Sequence, residues 1–269
     1  RQMGIRDSNY TLSPVMHNAA FKFLGMSQWH YEKLPINPQD FTSQIKYLIQ
    51  QGYVGINVTT PYKQKIISLF PLDKTTQVIG AVNVVDFRKK CGYNTDIIGF
   101  LEDLAFHKVS LQQTKIIVLG TGGVARAAVY GLVQQGTKIG VVSRSKHRAK
   151  QMIEELGVEA NIFSAEEALR WKAEWMINCT PLGMPPYQNA CPWPDSIPFP
   201  AGISVYDMIY HPQKTILMQK AEAYGGRALG GLGMLVRQGA AAFSIWTGKK
   251  APLDIMFKAV REYQKRKEK

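Results

Sequence analysis

Apolar and polar positions along this chain follow two alternating periods. From Phe41 to Gln51 the apolar residues recur at helical spacing, and Gly52 follows as a C-cap. Asn18 to Leu24 and Tyr62 to Leu69 also read as helices. Val54 to Val58 is a short β-branched strand, and Gly80 to Phe87 is apolar and β-prone, which predicts another. The N-terminal part therefore reads as an α/β unit.

A second series opens at Thr114. Lys115 to Leu119 predicts a buried strand, followed by Gly120-Thr-Gly-Gly-Val-Ala125 and a helix to about Gln135. Lys138 to Ser143 is the next strand. A helix over Lys146 to Leu156, strands near Trp175 to Asn178 and Ile203 to Asp207, and a helix over Thr215 to Tyr224 continue the alternation. That order predicts a doubly wound, Rossmann-like parallel sheet. Helices over Met234 to Trp246 and Leu253 to Arg266 lie beyond its last strand and are expected to pack back on the first domain. The expected division is 1–103 plus 235–269, with 104–234 as the second domain. There are no internal repeats or low-complexity segments.

Composition narrows the class. The chain has 269 residues, 45% of them hydrophobic, enough for two domains or one large one. No apolar run could span a bilayer, and Arg1-Gln-Met-Gly-Ile5 lacks signal-peptide architecture. A soluble cytoplasmic protein with no membrane partner is expected. Cys91, Cys179 and Cys191 are odd in number and form no Cys-x-x-Cys pair. His17, His30, His107, His147 and His211 are scattered. A reduced protein without a disulfide framework or metal site is expected.

The formal net charge is +13. It suits either nucleic acid or a basic surface that attracts small anions. The basic residues are dispersed apart from the tail Lys265 to Lys269, and no aromatic–basic motif accompanies them. A nucleic-acid partner is not expected.

Gly120-x-Gly122-x-x-Ala125 is weak alone, since a glycine-rich turn can be ordinary. Its place between a strand and a helix is the context that dinucleotide binding requires. Gly120 permits the tight turn, Gly122 lets the backbone approach a pyrophosphate, and Ala125 keeps the helix close to the sheet. The helix N-terminus supplies N–H groups and positive dipole. NAD sites usually place an acid at the end of the next strand. Here stand Ser143-Arg144-Ser145-Lys146-His147-Arg148. Arg144 and Arg148 can pair with a 2′-phosphate, and Ser143 and Ser145 can donate to it. The alternative is a basic helix start facing water; position favours NADP.

Four polar clusters sit at the ends of apolar segments: Tyr10 to Pro14, Asn57 to Lys63, Gly80 to Asn83 and Gly92 to Asp96. Each has a plainer reading. Ser13 could be an N-cap before Pro14, Thr59 or Thr60 could cap the helix after Pro61, and Lys63 could be an exposed lysine. Asp96 could cap the next helix, and Asn83 could be an amide satisfied by backbone. Singly, the plainer reading wins. Together, beside a nucleotide fold, they are the parts of a hydroxy-acid dehydrogenase: hydroxyls for a carboxylate, amides for hydroxyl groups, and a lysine–carboxylate pair for proton transfer.

These residues carry a resemblance. Leu12-Ser-Pro-Val-Met-His-Asn18, Asn57-Val-Thr-Thr-Pro-Tyr-Lys63, Gly80-Ala-Val-Asn83, Gly92-Tyr-Asn-Thr-Asp96 and Gly120 to Ala125 occur in this order. Asn178-Cys-Thr-Pro-Leu-Gly-Met184, Asp207-Met-Ile-Tyr210 and Gly231 to Gln238 follow. From about Thr11 to the C-terminus the chain resembles the shikimate dehydrogenase family. The resemblance implies reversible NADPH-dependent reduction of 3-dehydroshikimate to shikimate, in aromatic amino acid (chorismate) biosynthesis.

It implies Lys63 and Asp96 as the catalytic pair. Thr11 and Ser13 would bind the carboxylate, Thr59, Asn83 and Gln238 the ring hydroxyls, and Tyr210 would line the same site. Gly120, Thr121, Gly122, Gly123, Val124 and Ala125, with Ser143, Arg144, Ser145 and Arg148, would contact NADP. Thr180, Met208 and Gly231 would lie along its adenine-to-nicotinamide path, with Met234 near the nicotinamide.

Three positions depart from the family's habit. Thr11 replaces a usual Ser, Ile5 to Asn9 is shorter than the usual Gly-x-Pro turn, and Ser143 replaces a usual Asn. A relative that also uses quinate, an aminoshikimate relative, and a catalytically silent NADP-binding regulator are the competing readings. The regulator would be free to lose Lys63 or Asp96, and both are present. A monomer and a homodimer both remain open.

Overall fold

The first long helix begins earlier than its apolar pattern predicts. In the computed structural model, which describes residues 2–5, 11–34, 38–59 and 61–267, α1 runs from Ser13 to Phe23. Pro14 sits in its first turn, where a missing N–H costs nothing. The helix after Asp40 is α2, Phe41–Gln50, with Gly52 at positive φ beyond it. The helix expected over Tyr62 to Leu69 divides into α3, Tyr62–Lys65, and a tighter 3₁₀ turn, Ile66–Leu69.

The strand expected over Gly80 to Phe87 is corrected more substantially. A short helix, α4 (Lys74–Ile79), precedes it. Asp73 caps α4 by accepting from the Thr76 N–H, and Gly80 closes it at φ +64°. A left-handed residue ends a helix, so Gly80 is lost to the strand. Pairing is confined to Val84–Asp86.

That strand belongs to a five-stranded sheet. Its members are β1 (Gln2–Ile5), β2 (His30–Lys33), β3 (Gly55–Asn57), β4 (Val84–Asp86) and β5 (Cys91–Tyr93), in the order β2-β1-β3-β4-β5. β1 runs parallel to β2 and β3, whereas β4 is antiparallel to both neighbours. Helix α5, Asp96–Phe106, follows β5.

The second unit is a six-stranded sheet, entirely parallel. The chain runs β6 (Lys115–Leu119), α6 (Gly123–Gln134), β7 (Lys138–Val142), α7 (Lys146–Leu156), β8 (Asn161–Phe163), α8 (Ala165–Trp171) and β9 (Trp175–Asn178). It continues through β10 (Ser204–Asp207), α9 (Ile216–Ala223) and β11 (Ala228–Gly230). The spatial order is β11-β10-β9-β6-β7-β8. Alternate residues of β6 face opposite layers. Ile116 and Val118 pack with Val129 of α6 and Met152 of α7. Ile117 and Leu119 pack with Ala168 of α8 and Leu217 of α9. Helices therefore cover both faces, and the strand order reverses between β6 and β9.

Two further helices close the chain, α10 (Leu232–Thr247) and α11 (Leu253–Lys267). The units are residues 1–99 with 236–269, and 100–235. The first boundary falls within α5, a few residues before the expected position, because Phe100 and Leu104 pack in the second unit's core. In the first unit α11 packs on α1. The Trp246 indole N–H donates to the Val85 carbonyl at 3.0 Å. Gly55 makes room for that indole, since a β-carbon there would lie 2.3 Å from the indole nitrogen.

Candidate active site

Lys63 and Asp96 form a buried ion pair, Nζ to Oδ2, at 2.5 Å. Local structure directs both side chains to it. The Val82 N–H donates to the Lys63 carbonyl at 2.7 Å, which fastens α3 to the Gly80–Asn83 segment. At the start of α5 the cap belongs to Asn94, whose Oδ1 accepts from the Ile97 N–H at 3.3 Å. Asp96 is thereby free for Lys63, and the plain capping role is filled by another residue.

Asn83 organises the rest. Its Nδ2 lies 2.9 Å from Asp96 Oδ1, 3.0 Å from Thr95 Oγ1 and 3.3 Å from Gln238 Oε1. Its Oδ1 accepts from the Thr95 N–H at 2.7 Å. Backbone satisfies only the oxygen of this amide; its nitrogen serves side chains. Thr95 Oγ1 also lies 3.4 Å from Gln238 Oε1. Sequence reasoning assigned Thr95 no role. The signal was its place between Asn94 and Asp96, yet nothing in the sequence says that its hydroxyl meets Gln238 of α10.

Behind Asn83 stands a second polar line. Tyr31 Oη donates to Asn57 Oδ1 at 2.5 Å, and Asn57 Nδ2 donates to the Asn83 carbonyl at 3.1 Å. Asn18 of α1 brackets the Tyr31 backbone, accepting from its N–H and donating to its carbonyl. The His17 ring stacks on Tyr31 at 4.4 Å. Burial drives the His17 pKa down from 6.5 to about 3.

Thr11 and Ser13 are both buried at the start of α1. Thr11 Oγ1 accepts from the Ser13 N–H at 3.3 Å. Leu12 occupies the N-cap position and no side chain caps the helix, so Ser13 is not the cap. Likewise no side chain caps α3. Thr59 is half-buried, and its carbonyl accepts from the Tyr62 N–H. Thr60, Tyr10 and the Arg6–Asn9 part of the shortened loop lie outside the described residues. Tyr210 is half-buried and belongs to the second unit, beyond β10, whereas the other expected substrate residues belong to the first.

The glycine loop is built as a phosphate cradle. Gly120 has φ +108°, and a β-carbon there would come within 3.1 Å of Thr180. Gly122 is the N-cap of α6, and a β-carbon on it would meet nothing within 4 Å, so its backbone is open to a ligand. Thr121, Gly123 and Val124 continue into the first turn, and Ala125 is fully buried against the sheet. Ser145 caps α7, its Oγ accepting from the Arg148 N–H, and Ser143 Oγ accepts from the Ser145 N–H. Arg144 and Arg148 are exposed, and among the described residues neither side chain has an acidic partner. Open N–H groups, a helix N-terminus and two unpaired guanidiniums fit a dinucleotide with a 2′-phosphate.

Thr180 Oγ1 donates to Asn178 Oδ1 at 2.7 Å. Gly231 tolerates no side chain, since a β-carbon would sit 2.3 Å from the Met208 carbonyl oxygen. Met234 lies in the second unit's hydrophobic core.

Known proteins share this sequence over most of its length. A "Shikimate dehydrogenase (NADP(+))" from Methanopyrus kandleri is 37% identical over 268 residues, covering 94% of this chain and 92% of the relative. The chain belongs to the shikimate dehydrogenase family. The relative of the same name from Methanocella arvoryzae is 35% identical, covering 94% of each chain. Residues 6–85 match the family description "Shikimate dehydrogenase substrate binding domain", and 231–261 match "Shikimate 5'-dehydrogenase C-terminal domain". Residues 115–187 match "NADP oxidoreductase coenzyme F420-dependent". Among solved structures, shikimate 5-dehydrogenase from Thermus thermophilus, in complex with NADP(H) and shikimate, superposes with a TM-score of 0.86 at 31% identity. That match covers 97% of this chain and 98% of the other. The family's substrate-domain description thus spans Lys63 and Asn83, and its C-terminal description spans Gln238.

Proposed function

We propose that this chain catalyses the reversible, NADPH-dependent reduction of 3-dehydroshikimate to shikimate, with Lys63 and Asp96 as its catalytic pair. The observation that carries the reading is the buried Lys63–Asp96 pair, gripped by Asn83 and continued to Thr95 and Gln238. A hydroxylated ring needs clustered donors and acceptors, and this is the densest such cluster among the proposed site residues.

When bound, NADPH supplies a hydride to the carbonyl carbon. The carbonyl oxygen then gains alkoxide character. Protonated Lys63 stabilises that charge and donates its proton. Asp96 orients the ammonium and accepts from the neighbouring substrate hydroxyl. In the oxidative direction a neutral Lys63 receives the proton from shikimate. Thr11 and Ser13 hold the substrate carboxylate; Thr59, Asn83 and Gln238 hold ring hydroxyls, and Tyr210 lines the same ligand. The cradle from Gly120 to Ala125 holds the pyrophosphate, while Arg144 and Arg148, with Ser143 and Ser145, hold the 2′-phosphate. Thr180, Met208, Gly231 and Met234 flank the remainder of the dinucleotide.

Among the described residues no helix is long and apolar enough to cross a membrane. A cytoplasmic biosynthetic enzyme, acting as monomer or homodimer on a small molecule, fits this reading.

Initial-rate reduction of NADP⁺, followed by NADPH absorbance, tests it. Shikimate is compared with quinate, and NADP⁺ with NAD⁺. Turnover of shikimate with NADP⁺ is expected. Comparable rates with quinate would move the assignment to a broader relative. No turnover of either acid would favour the silent regulator.

A further inference from the structure

Asp207 is fully buried at the end of β10, directly beside Asn178 at the end of β9. We propose that Asp207 is a positioning residue for the dinucleotide, its carboxylate fixing the two loops that follow β9 and β10. The inference deepens the proposed function and rests on its cofactor reading.

Each carboxylate oxygen has a separate task. Oδ1 accepts from Asn178 Nδ2 at 2.9 Å and from the Ile209 N–H at 3.1 Å. Oδ2 accepts from Thr215 Oγ1 at 2.7 Å. The first oxygen thus reaches the neighbouring strand end, and the second fastens the far end of the loop between β10 and α9. Thr215 is in turn the N-cap of α9, accepting from the Met218 N–H.

Asn178 carries the restraint onward. Its Nδ2 also donates to the Leu182 carbonyl at 3.1 Å, and its Oδ1 accepts from the Thr180 N–H and hydroxyl at 2.9 and 2.7 Å. Thr180 closes the turn by accepting from the Leu182 N–H. The methyl of this Thr180 is what a β-carbon on Gly120 would meet first, at 3.1 Å. The chain of contacts therefore runs from Asp207 through Asn178 and Thr180 to the glycine turn after β6. It lies at the carboxyl ends of β6, β9 and β10, beside the reversal of strand order where open α/β sheets take ligands.

The choice of residue argues against a purely structural role. Among the described residues no cation pairs with Asp207, and burial pushes its pKa from 3.8 up to about 6. An unpaired buried carboxylate is costly, so packing alone would favour a neutral residue. A carboxylate is what can accept from a strand-end amide, a loop N–H and a hydroxyl at once. In Asp207→Asn the remaining oxygen can still serve Asn178 and Ile209. The new amide group then faces the Thr215 hydroxyl, which loses its acceptor.

The test titrates NADP⁺ alone into the protein by calorimetry. Asp207→Asn is expected to raise Kd roughly tenfold, the size that follows from losing a hydrogen bond to a charged group. KM for NADP⁺ should rise in parallel, while kcat at saturating cofactor changes less. Thr215→Val should weaken binding in the same direction, and Thr215→Ser, which keeps the hydroxyl, should restore it. A Kd within twofold of wild type in a cooperatively folded Asp207→Asn would overturn the proposal. Should that variant not fold, wild-type affinity in Thr215→Val would overturn it equally. Binding is read without substrate, so a failure of shikimate turnover would count against the proposed reaction and not against Asp207.

Discussion

Asn83 Nδ2 sits 2.9 Å from Asp96 Oδ1, while Lys63 takes the other oxygen of the same carboxylate. Asp96 is therefore held from two sides, and its orientation depends on Asn83 as much as on the lysine. Asn83→Ala removes that grip and leaves the buried Thr95 N–H without its acceptor. A lost hydrogen bond to a charged group is worth about 1.5–3 kcal/mol, so kcat/KM for shikimate should fall by roughly 10- to 100-fold. Thr95→Val, which deletes only the hydroxyl facing Asn83 and Gln238, should act mainly through KM for shikimate. Unchanged steady-state constants in both variants would show that the network is not used.

Lys63→Ala should lose most of kcat while KM changes less. The ammonium interacts most strongly with charge that develops on the carbonyl oxygen, so its loss is felt in the transition state. General acid–base groups of this kind contribute typically about 10²–10⁴-fold. Near-normal kcat would remove Lys63 from the chemistry. Lys63→Arg keeps the charge and lengthens the reach, and should recover little, because a planar guanidinium is a poor proton donor.

Arg144→Ala with Arg148→Ala should weaken NADP⁺ binding and leave NAD⁺ binding nearly untouched. Both guanidiniums are exposed and unpaired among the described residues, so the double variant leaves no buried acid stranded. The NADP⁺/NAD⁺ ratio of kcat/KM should drop by at least about tenfold, the scale of one charge-assisted hydrogen bond. A preserved ratio would assign the 2′-phosphate preference to other residues.

Much of this was legible in the sequence, and for identifiable reasons. β6, α6 and α7 are long and regularly patterned, so their periods show plainly. The strands that escaped notice, β1, β2, β5, β8 and β11, are at most four residues long, too short for a period to register. α4 was hidden because it is six residues long and opens on the polar Lys74 to Gln77, too short and too polar for an apolar face to show. Within the site, Lys63, Asn83 and Asp96 lie in separate motifs, and chemistry suggested their association. The part played by Thr95 depends on Gln238, which is remote in sequence and arrives only when α10 returns to the first unit. Asp207 was visible in a motif, yet its three donors could not be read without the register of β9 against β10.

Acid should expose the cost of His17. Its ring is fully buried among Tyr31, Phe21, Phe243 and Trp246, and its folded pKa lies near 3 against 6.5 ordinarily. Between those values the unfolded chain binds the proton and the folded chain does not. Stability from this group is therefore whole above pH 6.5 and is lost as pH falls toward 3, by roughly 1.4 kcal/mol per unit. Asp207 works in the opposite sense. Its folded pKa, about 6, exceeds the ordinary 3.8, so its contribution is whole below 3.8 and is lost as pH rises through 6. The two slopes oppose each other in the window they share, which masks both in the wild type. His17→Phe removes one of them. Urea unfolding of both proteins at about pH 7 and about pH 5 should show the stability gap moving toward the variant on acidification, by about 2 kcal/mol. A gap that stays constant between the two pH values would mean that His17 takes up its proton in the folded protein as readily as in the unfolded one.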